Sequence, residues 1–239
     1  MNQKGLAIVT GASRGIGAAV ATGLAEDGYR PVLIARNKEK LDQVREEIMR
    51  AGNNPVEPVV LPADISDLEK TEAAITEVHK SQGPVDILVN SAAIWLEGSL
   101  DQPLEKFKKI VDVNLVAQYA ILKTVVETMK ERKEGYIFNI ASRSGKHGFP
   151  GGGTYGSTKF ALVGLTESLC RELAPHNIRL TSICPGWVNT RMAEEAGTPL
   201  SAEEMIQPRD ILRTIRYLLS LSESVCIKEI VIEMKKSMV

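Results

Sequence analysis

Short runs of apolar and β-branched residues alternate with longer amphipathic stretches along almost all of the 239-residue chain, and this alternation constrains the fold most. The short runs fall at 6–10, 31–35, 56–61, 85–90, 136–141, 179–184 and 228–232. Most are continuously apolar, which predicts strands of a parallel sheet buried on both faces. The longer stretches, at 16–27, 38–51, 68–82, 104–130, 155–173 and 210–222, read as helices. Asp67 and Asp210 stand where N-caps are expected, and Gly28 and Gly52 where helices stop. The pattern predicts one α/β domain over residues 1–239: a doubly wound Rossmann-type fold with a mainly parallel sheet of about seven strands flanked by helices. The segment 189–207 resists assignment to either class; it follows a strand, carries Gly197 and Pro199, and is expected to be a lid-like substrate segment.

Composition narrows the function classes. Apolar residues make up 44% of the chain, enough for a core without covalent staples, but aromatics only 5%, so aliphatic side chains must fill it. Lys plus Arg number 29 against 30 Asp plus Glu, with no basic tract, which argues against a nucleic-acid partner. Cys170, Cys184 and Cys226 are odd in number and widely spaced, a poor basis for a disulfide framework or a metal site. No apolar run approaches the roughly 18 residues of a membrane span, and a strand begins by Gly5 where a signal peptide would lie. A cytoplasmic protein with no membrane partner is the expectation.

The first strand runs into Thr10-Gly11-Ala12-Ser13-Arg14-Gly15-Ile16-Gly17, which opens directly into a helix. Glycines here allow a tight turn and close approach of a ligand, and the helix N-terminus offers free N–H groups to a pyrophosphate. The second strand ends at Ala35-Arg36-Asn37 with no carboxylate. Folds of this kind place an acidic residue there for the 2′-hydroxyl of NAD, whereas an arginine accommodates the 2′-phosphate of NADP. Further on, Tyr155 and Lys159 stand at i and i+4 after a run of three glycines, so a helix puts both on one face. A neighbouring cation lowers a phenol's pKa from about 10 by roughly 1–3 units, as general acid–base work near neutrality requires. Ser142 lies at the end of the preceding strand, with Ser144 as a second hydroxyl two residues on.

Thr-Gly-xxx-Gly-Ile-Gly at 10–17, followed in order by Ser142, Tyr155 and Lys159, resembles the short-chain dehydrogenase/reductase family, over about residues 5–232. The resemblance implies an oxidoreductase that moves a hydride between NADP(H) and a small carbonyl or alcohol substrate. Tyr155 would be the proton donor, Ser142 would hold the substrate oxygen, and Lys159 would bind the nicotinamide ribose and lower the tyrosine pKa. Asn114 would kink a helix and support a proton relay, completing the catalytic set. Cofactor contacts would come from Gly11, Ser13, Arg14, Gly15, Ile16, Gly17, Arg36, Asp64 beside the adenine, Asn90, Tyr155, Lys159, Pro185, Gly186, Val188 and Thr190. Arg14 would be the second cation of an NADP-preferring member. The helices at 104–130 and 155–173 would pair across a two-fold axis, giving a homodimer or homotetramer.

Three departures from the family pattern stand out. Asn90-Ser91-Ala92-Ala93 replaces the usual Asn-Asn-Ala-Gly, putting a Cβ where the adenosine ribose approaches. The closing Asp-Gly-Gly is missing, which leaves dimer against tetramer open. The 190–207 stretch is short for a lid, which implies an open site and relaxed substrate choice. A 3-oxoacyl-carrier-protein reductase is the alternative activity, although His176 and Asn177 stand where such enzymes often carry an arginine. A non-catalytic NADP sensor is a third reading, opposed by the intact Ser142, Tyr155 and Lys159.

Overall fold

In a computed structural model, which describes residues 4–51 and 56–238, seven strands form one parallel sheet in the order β3-β2-β1-β4-β5-β6-β7. The strands are β1 (Gly5–Thr10), β2 (Tyr29–Ala35), β3 (Val59–Pro62), β4 (Val85–Asn90), β5 (Gly135–Ile140), β6 (Ile178–Pro185) and β7 (Glu229–Ile232). Between them run α1 (Gly15–Glu26), α2 (Lys38–Ala51), α3 (Leu68–Gln82), α4 (Leu104–Val111), α5 (Ala117–Arg132), α6 (Gly153–Leu173), the short α7 (Arg191–Glu195) and α8 (Pro208–Ser220). Each expected strand and helix has its counterpart, with ends displaced by a few residues.

The sheet divides the core in two, and period-two side-chain alternation decides the division. From β1, Ala7 and Val9 join Leu24 of α1, Leu41 of α2 and Ile215 of α8 on one face. Leu6 and Ile8 join Ile75 of α3, Ile121 of α5 and Leu173 of α6 on the other. With helices on both faces the inner strands are buried almost throughout, which explains their continuous apolar runs, while the edge strands β3 and β7 stay partly exposed.

Four local expectations differ from the structure. The strand expected from 56 begins at Val59, because Pro58 has no N–H to give the ladder and the Glu57 carbonyl is taken by Arg30 Nε at 2.9 Å. The helix that the apolar pattern runs unbroken over 104–130 is interrupted by a π turn at Asp112–Val116, around the Asn114 that the family resemblance expected to kink it. Asp67 does cap α3, accepting from the Lys70 N–H, but Asp210 is not an N-cap. It lies in the first turn of α8, where its carboxylate accepts the N–H of Gln207, the true cap residue, at 3.0 Å. Pro208 begins that helix two residues early, since a first-turn position needs no N–H. Gly28 follows α1 with φ of 91°, while Gly52 lies outside the described residues. Among the described residues no helix is long and apolar enough to cross a membrane.

Candidate active site

Strand order reverses at β1, whose neighbours β2 and β4 lead away in opposite directions, so the loops after β1 and β4 part and leave a crevice at the carboxyl ends of the strands. A cavity of about 670 Å³ occupies it. The Thr10 hydroxyl ties the two loops by accepting the N–H groups of Ser91 and Ala92, both at 3.0 Å. Gly11 and Gly15 have φ of 67° and 57°, which glycine adopts at no steric cost. A Cβ on Gly11 would lie 3.0 Å from the Ala92 backbone, and one on Gly17 would overlap the Gly11 carbonyl. Helix α1 therefore starts hard against the loop, with no acidic residue in its first turn. This cradle of exposed N–H groups at a helix N-terminus suits a pyrophosphate. Gly11, Ser13, Arg14, Gly15 and Ile16 line it. Gly17 does not: it is buried behind the loop, and its part is to let the helix approach.

The rim beyond the cradle is positive. Arg36, Asn37 and Lys40 follow β2, Arg14 faces them from the loop, and Lys109 reaches in from α4. Arg14, Arg36, Lys40 and Lys109 form no salt bridge among the described residues, whereas Arg143 and Arg191 on the same wall are paired with Glu233 at 3.1 Å and Glu195 at 2.7 Å. Asp64 is the one carboxylate on the wall among the described residues. Partial burial works to raise its pKa, but hydrogen bonds from the Ser66 hydroxyl and N–H, with Arg36 nearby, outweigh this and hold it below its ordinary value.

At the opposite end, α6 brings Tyr155 and Lys159 to one face, 8% and 1% exposed. Ser142, just past β5, lines the same cavity and accepts the Ser144 N–H at 3.0 Å. Ser144 lines it too. Lys159 Nζ donates to the Ile140 carbonyl at 2.8 Å and lies 5.5 Å from the centre of the Tyr155 ring. Burial pushes the Tyr155 hydroxyl up to about 12, with a hydrogen bond to Ser142 acting the other way, and pushes Lys159 down to about 8. The expected lowering of the tyrosine by the lysine is therefore not what this structure shows. Desolvation dominates both groups, and it favours the neutral lysine and the intact phenol.

Asn90, an expected cofactor contact, and Asn114, expected to kink a helix and support a proton relay, stand behind the wall. Asn90 is fully buried and donates to Asn139 at 3.0 Å, joining β4 to β5 beneath the crevice. Asn114 is likewise fully buried; its side-chain oxygen accepts the Ile94 N–H at 2.8 Å, and its amide donates to the Ile94 carbonyl at 2.9 Å and Thr158 at 3.3 Å. These bonds hold the π turn to the loop after β4 and to α6 one residue from Lys159, so Asn114 positions its neighbours rather than facing the cavity. At the end of β6 and beyond it, Pro185, Gly186, Val188 and Thr190 line the wall as expected, as does Ala93 after β4. The 189–207 segment holds α7 and is closed at its base by the pairing of Val188 with Ile206 and by Asn189 bonding Gln207 at 3.1 Å.

The sequence reading did not find Lys40, Lys109, Trp95, Phe149 or Trp187, all on the wall. Lys40 was accessible in principle, standing one helical turn after Arg36. Trp187 was accessible too, standing between Gly186 and Val188, whereas Lys109, Trp95 and Phe149 have no signal in local pattern, because loops and α4 bring them in from distant parts of the chain.

The family model for short chain dehydrogenase matches residues 5–200. A solved betaketoacyl-ACP reductase from Bacteroides thetaiotaomicron is 60% identical, with 99% of each chain covered and a TM-score of 0.90. A metagenomic short-chain oxidoreductase solved in complex with NADP is 34% identical, covers 96% of each chain and gives a TM-score of 0.83. A 3-oxoacyl-acyl-carrier-protein reductase of Staphylococcus aureus (strain Mu50) is 35% identical over 225 residues, 90% of either chain.

Proposed function

The chain belongs to the short chain dehydrogenase family, and from that premise we propose that it is an NADPH-dependent reductase of ketones or aldehydes working through Tyr155, Ser142 and Lys159. One observation carries the reading: a single cavity joins the glycine cradle and its positive rim to the tyrosine, serine and lysine. NADP(H) is the cofactor, as in the NADP-bound relative, and the cradle fits its pyrophosphate while Arg14, Arg36 and Lys40 answer its 2′-phosphate.

When bound, NADPH supplies a hydride to the carbonyl carbon. The Tyr155 hydroxyl then gives its proton to the carbonyl oxygen, which becomes the alcohol. Tyr155 carries the proton that reduction needs, and the same group without its proton would serve the reverse reaction. Ser142 donates to the same oxygen and fixes it against the phenol. Lys159, anchored by Ile140, is placed to hold a ribose hydroxyl and bring a positive charge up when it is protonated. Arg36, Asp64, Val188 and Thr190 orient the cofactor, with Asn90, Gly17 and Asn114 holding the loops that carry the contacts. We also propose that the working unit is at least a homodimer, built on the faces of α5 and α6 turned from the sheet.

A second reading, reduction of a 3-oxoacyl thioester on a carrier protein, is favoured by the 60% identity to the betaketoacyl-ACP reductase. Both readings use the same proton donor and differ in what enters. The test follows NADPH absorbance with small ketones and with an acyl-carrier thioester, in the native protein and in Tyr155→Phe. The substitution removes one hydroxyl and should cost about 10²–10⁴ in rate with NADPH binding intact. Turnover of small ketones supports the first reading, thioester alone the second. A phenylalanine variant keeping a tenth of the activity overturns the role of Tyr155.

A further inference from the structure

Aromatic side chains are scarce in this chain, 5% in all, yet both of its tryptophans and one of its four phenylalanines line the cavity beside Tyr155. Trp187 packs against the core, but Trp95 and Phe149 do not; among the largest fully buried side chains Phe138 is the one aromatic. Trp95 and Phe149 lie parallel, 2° between planes and 6.5 Å between centres, and Trp95 meets the Tyr155 ring edge-on at 4.9 Å. Phe149 stays 44% exposed at the cavity mouth, an apolar ring held in contact with water.

Both rings are fixed in place by the backbone. The loop bearing Trp95 and the loop bearing Phe149 are sewn together: Gly98 N–H donates to the Gly151 carbonyl at 2.7 Å and Thr154 N–H to the Gly98 carbonyl at 3.1 Å. The Thr154 hydroxyl donates to the Leu96 carbonyl at 2.6 Å, and the Gly153 N–H to the Ser99 hydroxyl at 3.1 Å. The Phe149 ring lies over Gly152, where any Cβ would overlap it, so the second of the three glycines exists to seat that ring. Such a wall meets a ligand already ordered and loses little entropy on binding.

We propose that Trp95 and Phe149 form a rigid aromatic wall that selects ketones and aldehydes carrying a flat aromatic group next to the carbonyl. This rests on the reductase reading above. Stacked and edge-to-face ring contacts add to simple burial, and a saturated group of equal size gains only the burial. Trp95 touches both the Phe149 and the Tyr155 rings, so a flat group held at the wall lies beside the Tyr155 side chain.

Acetophenone and cyclohexyl methyl ketone, matched in size and differing in flatness, test the wall. We expect kcat/KM with NADPH to favour acetophenone, and Trp95→Leu and Phe149→Leu each to lower that ratio by about 2- to 10-fold. Phe149→Leu serves as the variant at an exposed position that the fold does not depend on. Equal kcat/KM for the two ketones, or a ratio unmoved by both substitutions, overturns the wall while leaving the reductase reading standing. If neither ketone is reduced, the reductase reading for such ketones fails, and the wall is judged by binding alone. There the Kd values of both ketones for Tyr155→Phe, with and without Trp95→Leu, decide. Tighter binding of acetophenone that Trp95→Leu abolishes supports the wall, and equal Kd values overturn it.

Discussion

Two buried residues set the pH response of the site. Lys159, pushed down to about 8, sheds its proton in the folded protein while the unfolded chain keeps one until about 10.5. Between those values the unfolded state binds more protons, so this lysine makes the fold more stable as pH rises. Tyr155, raised from 10.0 to about 12, acts in the opposite direction above pH 10, where the unfolded chain loses its phenolic proton first. Thermal midpoints of the native protein should therefore rise between pH 8 and 10, and Lys159→Met should flatten that rise; an unchanged slope means Lys159 keeps an ordinary pKa. At the rim, a hydrogen bond to a charged group is worth roughly 1.5–3 kcal/mol. Arg36→Ala should weaken NADPH binding by about 10- to 150-fold and leave NADH nearly untouched. Arg14→Ala should do the same with incomplete additivity, since in the proposed reading both cations would meet one phosphate. The ratio of kcat/KM for NADPH over NADH measures this, and a ratio unmoved by Arg36→Ala removes the arginine from the site.

At the scale of elements, the break between α4 and α5 matters most. A helix pattern runs through 104–130 without a proline or glycine, so nothing local stops it. The π turn exists because Asn114, fully buried, satisfies both the N–H and the carbonyl of Ile94 across the crevice. Asn114→Ala leaves those backbone groups without this partner and should cost about 1–3 kcal/mol of stability. Urea unfolding reads the loss, and a midpoint equal to the native one means that the turn does not depend on the side chain. The same ends of elements show what pattern reading reaches. Asp67 caps α3 where a cap was expected, because the cap bond lies within a few residues. Asp210 was assigned to the right helix but the wrong role, since whether it caps or closes a box depends on where Gln207 turns the chain.

For the whole molecule, the open question of surface concerns α5 and α6. Of the residues that carry their apolar pattern, Ala117 and Ile121 are spent on the sheet. Val116, Tyr119 and Phe160 remain exposed, at 37%, 53% and 45%. A second copy covering these positions gives the homodimer proposed above. Light scattering at micromolar concentration should exceed the 26.1 kDa of one chain, and Phe160→Asp should lower it. A monomer in the native protein ends the idea.

Periodicity by itself determined the fold class: continuous apolar runs between helical stretches have no stable arrangement other than a parallel sheet covered on both faces. Spacing by itself likewise put Gly11, Gly15, Tyr155 and Lys159 forward, because a turn into a helix and a pair at i and i+4 are local facts, and the family resemblance added Ser142. Tertiary structure decided what meets what. It sent Asn90 and Asn114 behind the wall, brought Lys109 and the Trp95–Phe149 pair onto it, and buried Tyr155 and Lys159 deeply enough for desolvation to outweigh their mutual influence. The physical reason is range. Backbone conformation and side-chain period act over a few residues, whereas burial and the shape of a crevice depend on segments far apart in the chain, here from Gly11 to Ala196, and no window on the sequence holds both partners.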